Sequence, residues 1–334
     1  MIVFSPMPKD MLKLKSVILA PLEGITDELY RELILNHYPD WDLLFTDFYR
    51  IPRHGNKTKK KLIDHIGTRI LNTPDFFNKT VVQVLTSSND AIEQTCQDLN
   101  ELKVQWLDLN AGCPMRRVIY HKGGSYLLSD LDELKSIVSR LRKNFPHFLT
   151  VKIRIGLKDD KNFYEILRML EGEGVDAITL HGRLQSQLYA GTADWNYIAK
   201  ATDILKIPLI GNGDIWKASD AFKMYNLTNC HSIMIGRPAM RAPWLAHLIK
   251  ENKNEILLKE LQVEIDNYLT RLFEKNLEYG FHSDQALKRV KAVSPSIFSD
   301  FSNGIDVRTK VLRSEKFETV KEAVAELVLE SVSE

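Results

Sequence analysis

Short apolar runs rich in β-branched residues alternate with segments of helical periodicity through the first three-quarters of the chain. Apolar residues recur at helical spacing in the intervening segments, among them 90–103, 130–144 and 162–173. This alternation predicts a (β/α)8 TIM barrel rather than an open doubly wound sheet, and no GxGxxG follows the first strand. The eight predicted strands are residues 17–21, 43–48, 80–85, 105–110, 149–154, 176–181, 207–212 and 232–236.

The strand pattern stops near residue 245, and helical periodicity follows, most clearly over 256–273 and 320–332. We therefore predict a barrel domain over residues 1–245 and an all-helical domain over residues 246–334. Residues 1–15 lack the apolar core and cleavage site of a signal peptide. No uncharged apolar run approaches the ~20 residues of a membrane-spanning helix, so no membrane association is expected.

Composition narrows the classes of partner. Of 334 residues, 44% are hydrophobic and 27% are charged, as in ordinary soluble proteins. The formal net charge is only +1, so a nucleic-acid partner would need a local basic surface. Three scattered cysteines, Cys96, Cys113 and Cys230, do not suit a disulfide framework or a zinc site. These features predict a cytoplasmic protein without a metal ion.

Polar residues recur at the carboxyl ends of the predicted strands. In a TIM barrel these ends converge on one face, where the loops form the active site. Polar strand ends are costly unless they are solvated or paired, so their recurrence indicates one shared site. In chain order they are Glu23, Gln83, Asn110, Lys152, Arg154, His181, Arg183, Asn212, Asp214 and Arg237.

The last two loops of the predicted barrel suit a phosphate group. Gly213 and Gly236 let the backbone approach an anion, and Arg237 adds a fixed charge. Lys152 and His181 would face the middle of the same ligand, and beside a flavin Lys152 would stabilise the anionic reduced ring. Each residue alone has a simpler explanation, such as a solvated strand end or a turn glycine. Their recurrence at equivalent positions favours a planar cofactor with a phosphate tail.

Cys113 lies in the run LNAGCPMRR, in a Gly/Pro turn directly after a predicted buried strand. A free thiol has a pKa of about 8.5, so it can donate a proton near neutral pH. Arg116 and Arg117 add positive charge to the same loop. A lone cysteine is more often an inert buried thiol, so its role depends on what lies opposite it.

Five ordered motifs resemble the tRNA-dihydrouridine synthase family over about residues 17–245. The APLEG and NGDIW forms most resemble its bacterial C-type branch. The resemblance implies flavin mononucleotide (FMN) at the barrel mouth, NADPH as reductant, a tRNA substrate and a helical domain that helps to hold RNA. The motifs are APLEGITD, LNAGCP followed by KGGSYLL, HGRLQSQLYAGTADW, GNGDI and MIGRPA.

The resemblance also implies a role for each matching position. Hydride would pass from reduced FMN to carbon 6 of a uracil, and Cys113 would be the general acid that protonates carbon 5. Asn110 would lie beside the uracil and the flavin. The RNA would be contacted by Arg116, Arg117, Arg154 and Arg183. The FMN-binding residues would be Pro21, Gln83, Lys152, His181, Asn212, Gly213, Asp214, Gly236 and Arg237.

The chain departs from the family pattern at Thr86, Leu184 and Pro238, and Pro238 lacks an amide hydrogen beside the proposed phosphate site. The most basic stretch, residues 50–69, follows the second predicted strand and would lie on the catalytic rim, although a solvated helix face is the simpler interpretation. Its basic residues between the two terminal arginines are Arg53, His54, Lys57, Lys59, Lys60, Lys61 and His65.

Three other functions remain open at this point. The first is an FMN barrel that acts on a small pyrimidine, as dihydroorotate dehydrogenases do. The second is a related enzyme that modifies rRNA, and the third is an RNA-binding protein that has lost catalysis. Within tRNA, the C-type resemblance points to position 16 of the D-loop.

Overall fold

The computed structural model describes residues 11–54, 58–294 and 297–328. Three parts of the sequence predictions therefore lie outside the described residues. They are residues 1–10 of the N-terminal segment, Lys57 of the basic stretch and residues 329–332 of the last predicted helix.

In the described part of the chain, nine parallel strands form one sheet. The spatial order is β2-β1-β9-β8-β7-β6-β5-β4-β3, and pairing of β2 with β4 closes the sheet into a barrel. The predicted TIM barrel is thus confirmed. The strands are β1 (Val17–Leu19), β2 (Leu43–Phe45), β3 (Tyr49–Arg50), β4 (Thr80–Leu85), β5 (Trp106–Ala111), β6 (Phe148–Arg154), β7 (Ala177–His181), β8 (Leu209–Asn212) and β9 (Ser232–Ile235).

The second predicted strand, residues 43–48, is interrupted. β2 ends at Phe45, and the short β3 pairs with the end of β4 through Tyr49 and Arg50. Between them the Thr46 hydroxyl, and not a backbone carbonyl, accepts the hydrogen bond from the Gln83 amide at 3.0 Å. The side chain thus replaces a rung of the backbone ladder, and β3 is an addition to the eight-stranded ring.

Helices surround the barrel and continue after its last strand. They are α1 (Glu28–His37), α2 (Thr58–Ile66), α3 (Thr68–Leu71), α4 (Pro74–Asn78), α5 (Ile92–Glu101), α6 (Arg116–Tyr120), α7 (Leu131–Asn144), α8 (Phe163–Gly172), α9 (Trp195–Ile204), α10 (Ala218–Thr228), α11 (Arg237–Arg241), α12 (Leu245–Lys250), α13 (Leu258–Glu278), α14 (Ser283–Val293), α15 (Gly304–Arg313) and α16 (Phe317–Ala325). None of the described helices combines the length and the apolar character needed to cross a membrane.

The barrel interior changes from apolar to polar along the strands. Trp106 and Phe148 belong to a buried apolar cluster inside the barrel, and their rings lie edge to face at 4.4 Å. Alternate residues of a strand share a face, so Asp108 and Thr150 come next on β5 and β6. Asn110 and Lys152 follow one further step along, at the mouth, and are partners in the sheet register.

The C-terminal helices pack on the barrel through α1. Tyr268 of α13 lies with its hydroxyl 3.3 Å from that of Tyr30, and both residues are fully buried. Leu261 and Leu269 of α13 belong to the same buried apolar cluster as the outer faces of the strands. The two parts of the chain thus share one continuous core, and a domain boundary at residue 245 stays a prediction.

The last helix is shorter than predicted. The pattern over 320–332 predicted one helix, but α16 ends at Ala325. The Asn303 side chain accepts a hydrogen bond from the Val328 amide at 2.9 Å and donates one to the Glu326 carbonyl at 2.7 Å. These bonds hold residues 326–328 in a non-helical path.

Candidate active site

A cavity of about 340 Å³ opens at the carboxyl ends of the strands, a volume within the ~300–1,000 Å³ typical of ligand sites. Arg116, Arg117 and Arg183 do not line it. The other predicted site residues do: Pro21, Gln83, Asn110, Cys113, Lys152, Arg154, His181, Asn212, Gly213, Asp214, Gly236 and Arg237.

The turn that carries Cys113 is held from both sides. Asn110 Oδ1 accepts hydrogen bonds from the amides of Gly112 at 3.1 Å and Cys113 at 2.9 Å. Ser125 donates to the Cys113 carbonyl from its hydroxyl at 2.8 Å and from its amide at 3.1 Å. Gly124 has a φ of +60°, and a Cβ there would lie 2.9 Å from the Cys113 carbonyl oxygen. The turn therefore requires glycine and fixes the thiol at the cavity wall.

The thiol of Cys113 is held in its protonated form. Burial raises its pKa above the ordinary value, and a hydrogen bond with the backbone of Met115 offsets part of this effect. The charges of Arg154 and Lys152 act in the same offsetting direction. A protonated thiol at the wall of a ligand cavity suits a proton donor better than a thiolate nucleophile.

Lys152 projects into the same cavity. Its Nζ donates to Asn212 Oδ1 at 3.1 Å, and Asn212 Nδ2 donates to the Met234 carbonyl at 2.7 Å, which fixes the amide orientation. Burial, and next the charge of Arg154, lower the pKa of Lys152 to about 8. The ammonium group is therefore mostly charged at neutral pH but loses its proton more readily than a surface lysine.

His181 is neutral at all physiological pH values. Burial, followed by the charge of Lys152 and three arginines, lowers its pKa far below the usual range. Nη1 of Arg183 lies 3.3 Å from Nε2. Because a guanidinium can only donate, Nε2 accepts this bond and the ring proton lies on Nδ1. Gly213 approaches the ring closely, since a Cβ there would lie 2.8 Å from His181 Cδ2.

Arg183 and Asp214 brace two loops against each other. Arg183 is only 1% exposed, and its Nη2 donates to Asp214 Oδ2 at 2.6 Å and to the Gly191 carbonyl at 2.7 Å. Asp214 Oδ2 also accepts from the Ala193 amide at 2.7 Å. The guanidinium of Arg183, expected to face the RNA, therefore links the loops after β7 and β8 and does not line the cavity.

Arg154 lines the cavity and also acts as a brace. Its Nε donates to the Gly112 carbonyl at 3.0 Å, and its Nη1 donates to the carbonyls of Leu184 at 3.0 Å and Leu188 at 2.8 Å. The guanidinium thus connects the Cys113 turn to the loop after β7. Burial lowers the pKa of Arg154 to about 10, so it remains charged at neutral pH.

Arg237 lies at the edge of the cavity between two aromatic rings, which the polar residues at the strand ends did not predict. Its guanidinium carbon is 4.5 Å from the Tyr189 ring centre and 5.3 Å from that of Trp216, within cation–π range. Its Nη2 lies 3.6 Å from Asp214 Oδ1, and the side chain is 38% exposed. Both residues stand in motifs that were noted in the sequence, Tyr189 in QLYAG after β7 and Trp216 in GNGDIW after β8.

Arg116 and Arg117 lie outside the cavity, in the first turn of α6. Both are exposed, as is Tyr120 at the end of the same helix, which is 82% exposed. Met115 directly before the helix lines the cavity. The loop therefore carries the thiol on its inner side and a cationic, aromatic surface on its outer side.

The basic stretch 50–69 does not form one track on the rim. Lys59 Nζ pairs with Glu101 Oε2 at 2.7 Å, and Glu101 is the last residue of α5. α5 begins near the rim, where the Ala91 amide donates to the Pro52 carbonyl at 2.9 Å, and runs towards the opposite face. The start of α2 thus lies away from the catalytic face.

Asp108 is a buried residue of the site that lies within β5, before the polar strand end from which the site was predicted. Its carboxylate accepts from Gln83 Nε2 at 2.8 Å and from the Thr150 hydroxyl at 2.6 Å, directly beneath the cavity. Burial raises its pKa to about 6, although these hydrogen bonds oppose the effect. The signal was its position two residues before Asn110, which places both side chains on one face of β5.

The three departures from the family pattern lie in different places. Thr86 is buried, bonds locally to the Ser87 carbonyl at 3.2 Å and does not line the cavity. Leu184 contributes its carbonyl to Arg154, and Pro238 lines the cavity.

The residues present fit the chemistry of a flavin mononucleotide. The cavity combines an ammonium group at Lys152, amide groups at Gln83 and Asn212, and an exposed guanidinium at Arg237 beside Gly236. Apolar walls suit a planar ring, and a cation near it would stabilise negative charge. Among the described residues, no cluster of three His, Cys, Asp or Glu side chains is placed to hold a metal ion.

Residues 18–333 match the family model described as Dihydrouridine synthase (Dus). The tRNA-dihydrouridine(16) synthase of Shewanella oneidensis is 34% identical over 241 residues, which cover 70% of this chain and 75% of the relative. The synthase of the same name from Escherichia coli O157:H7 is 31% identical over 278 residues, covering 82% and 86%.

Among solved structures, morphinone reductase superposes with a TM-score of 0.50 at 13% identity, covering 72% of this chain and 87% of that one. At this identity the likeness shows the barrel fold alone. The family model, in contrast, spans nearly the whole chain, from the first strand to the last helix. The protein therefore belongs to the dihydrouridine synthase family.

Proposed function

We propose that this protein reduces a uridine of tRNA to 5,6-dihydrouridine, with Cys113 as the general acid. Family membership supports the reaction class, and the relatives named above are tRNA-dihydrouridine(16) synthases. The observation that carries the proposal is the protonated thiol of Cys113 on the wall of the cavity that Lys152 and His181 also line. The expected location is the cytoplasm.

Each part of the site has a task in this reaction. A flavin, proposed to be FMN that NADPH reduces, supplies hydride to carbon 6 of the uracil when it is bound. Cys113 donates the proton to carbon 5, and Asn110 holds the turn that presents the thiol. Lys152 would place positive charge beside the cofactor ring, and Arg237 would offer guanidinium donors to its phosphate.

The target base must leave its stack to reach a cavity at the mouth of a barrel. Unstacking costs least for loop nucleotides that are already weakly stacked, which favours the D-loop of tRNA over a regular helix. The names of the relatives from Shewanella oneidensis and Escherichia coli support position 16 as the target. A uridine in rRNA would be the alternative outcome of the mapping experiment below.

The test starts with purified protein, which we expect to be yellow and to release FMN on denaturation. Incubation with NADPH and tRNA from a strain that lacks dihydrouridine synthases should then form dihydrouridine, which sequencing after chemical cleavage locates at position 16. NADH in place of NADPH tests the choice of reductant. Colourless protein without releasable flavin, or turnover of free dihydroorotate in place of tRNA, would reject the proposal.

A further inference from the structure

A chain of hydrogen bonds runs from the closed interior of the barrel to the Cys113 turn. Asp108 is completely buried, and its two carboxylate oxygens have different partners. Oδ1 accepts from the Thr150 hydroxyl at 2.6 Å, and Oδ2 accepts from Gln83 Nε2 at 2.8 Å. Gln83 Oε1 in turn accepts from Asn110 Nδ2 at 2.8 Å. Asn110 Oδ1 then accepts from the amides that begin the Cys113 turn.

The direction of every bond in this chain follows from the carboxylate. An ionised carboxylate can only accept, so Gln83 must turn its NH2 group towards Asp108. In that orientation the Gln83 carbonyl oxygen faces Asn110. Asn110 therefore donates a hydrogen bond to it from its own NH2 group. Asn110 then presents its oxygen to the Gly112 and Cys113 amides, which can only donate and so require the same direction. Each of the two amide nitrogens uses one of its two hydrogens in this chain.

The other end of the chain is fixed as well. The indole nitrogen of Trp106 donates to the Thr150 hydroxyl at 3.0 Å, and an indole N–H cannot accept. The single proton of Thr150 is therefore directed to Asp108 Oδ1. Both carboxylate oxygens therefore accept a hydrogen bond here, an arrangement that a protonated or amidated side chain cannot reproduce.

We propose that Asp108 is a positioning residue for proton donation by Cys113: its carboxylate sets the orientation of the Gln83 and Asn110 amides and so of the turn that holds the thiol. This inference rests on the proposed function, because it concerns the same proton transfer. It goes further because it assigns a role to Asp108, which is connected to the Cys113 turn only through the side chains of Gln83 and Asn110.

The test compares Asp108→Asn with Thr150→Val in the flavin-bound enzyme. Asp108→Asn preserves shape but introduces an NH2 group where an acceptor is needed. We expect the single-turnover rate of dihydrouridine formation to fall about 10- to 100-fold, the scale of a small misplacement of reacting groups. The KM for tRNA should change much less than this rate, because Asp108 is completely buried and does not touch the exposed Arg116 and Arg117.

Thr150→Val is the matched control at the other carboxylate oxygen. It removes a buried hydrogen bond and should lower the melting temperature, but it leaves the bond between Asp108 and Gln83 in place. At pH 8 its single-turnover rate should equal that of the unaltered enzyme. A rate that falls in both variants in proportion to lost stability would overturn the proposal in favour of a structural role.

A pH measurement keeps the test decisive if Asp108→Asn does not fold. Lys152 is the charged residue of the described chain that acts on Asp108, and it favours the ionised form. The single-turnover rate should fall on the acid side near pH 6, and this fall should move to higher pH in Thr150→Val, which loses a bond to the ionised carboxylate. If the acid-side fall of the single-turnover rate occurs at the same pH in Thr150→Val as in the unaltered enzyme, the proposal is overturned.

The outcomes separate this inference from the proposed function. If the unaltered enzyme reduces its flavin with NADPH but forms no dihydrouridine in any RNA, the proposed function fails. If it forms dihydrouridine and Asp108→Asn does so at the same rate, only the positioning role fails.

Discussion

Cys113 shows how the protonation state of one residue depends on its surroundings. Basic neighbours usually lower a thiol pKa, and this turn is followed by two arginines. Arg116 and Arg117 point to the outer surface, however, and burial raises the pKa of Cys113. The raised pKa supports the proposal that Cys113 gives a proton and does not attack as a thiolate.

Replacement of Cys113 by alanine should abolish most product formation. A general acid contributes about 10²- to 10⁴-fold, so the single-turnover rate should fall within that range while flavin content and tRNA affinity persist. Because the pKa of the Cys113 thiol is raised, the alkaline decline of the single-turnover rate caused by loss of its proton should begin only above about pH 8.5, the ordinary pKa of a thiol. Unchanged turnover in Cys113→Ala would refute the general-acid role.

Lys152 should confer a pH dependence on flavin reduction. Its pKa is lowered to about 8, so its charge is present at neutral pH and is lost as the pH rises through 8. We expect reduction by NADPH to slow above that pH, because the reduced anionic ring loses its cation. Lys152→Ala should bind flavin weakly or reduce it slowly at every pH, and Lys152→Arg should remove the alkaline decline. A fully flavinated alanine variant with normal kinetics would contradict this placement.

At the scale of elements, the loop between β5 and α7 combines two functions. Its inner side holds the thiol, and its short helix α6 exposes Arg116, Arg117 and Tyr120. Cations beside an exposed aromatic ring are typical of surfaces that bind single-stranded RNA through phosphates and stacked bases. The same loop would thus couple RNA contact to the position of the proton donor.

Neutralising the outer side of this loop should weaken RNA binding without impairing chemistry. In Arg116→Gln/Arg117→Gln we expect a higher KM for tRNA, and a plot of log affinity against log salt that is less steep by about 1 to 2. The rate at saturating tRNA should change little. Lys60→Gln/Lys61→Gln removes the same charge from exposed positions of α2 and serves as the control, for which no change in slope is expected.

Gly124 should be indispensable to the same loop. Its φ is +60°, and an added Cβ would lie 2.8 Å from Val118 Cγ1 and 2.9 Å from the Cys113 carbonyl oxygen. Gly124→Ala should therefore lower both the melting temperature and the single-turnover rate. Gly280→Ala is the control, since Gly280 has a φ of +83° but open space around it. The left-handed conformation alone costs about 1–2 kcal/mol, so the control should lose stability but not activity.

At the scale of the whole molecule, the barrel and the C-terminal helices share one buried apolar cluster. Ion pairs join them near the shared core, such as Lys275 Nζ with Glu32 Oε1 at 2.7 Å. Removal of α13 would expose part of α1 to water, because Tyr30 and Tyr38 of that region pack against Tyr268 of α13. The helical segment is thus part of what stabilises the catalytic barrel.

A core substitution in α13 should therefore destabilise the flavin site as well. Ile265 is completely buried, and Ile265→Ala should cost about 2–5 kcal/mol of unfolding free energy. Loss of helical circular dichroism and release of flavin fluorescence should occur in one transition at a lower temperature. Two separate transitions, with flavin retained after the first, would indicate independently stable domains.

Local features of the chain were readable from the sequence. Apolar runs and helical spacing predicted the eight ring strands because burial acts on each segment separately. Polar residues at strand ends, such as Asn110 and Lys152, could be assigned to one cavity because a closed barrel brings all strand ends together. Cys113 was found in the same way, from its turn and its motif.

Contacts between distant segments were decided by the tertiary structure alone. Arg183 could face RNA or brace a loop, and only the proximity of Asp214 makes it a brace. Lys59 follows the second strand, yet its pairing with Glu101 places it away from the rim. Asp108 reads as an ordinary strand residue until its hydrogen bonds connect it to the catalytic turn. Sequence periodicity determines which side of an element is buried, whereas the partner of a polar group depends on which other element packs against that side.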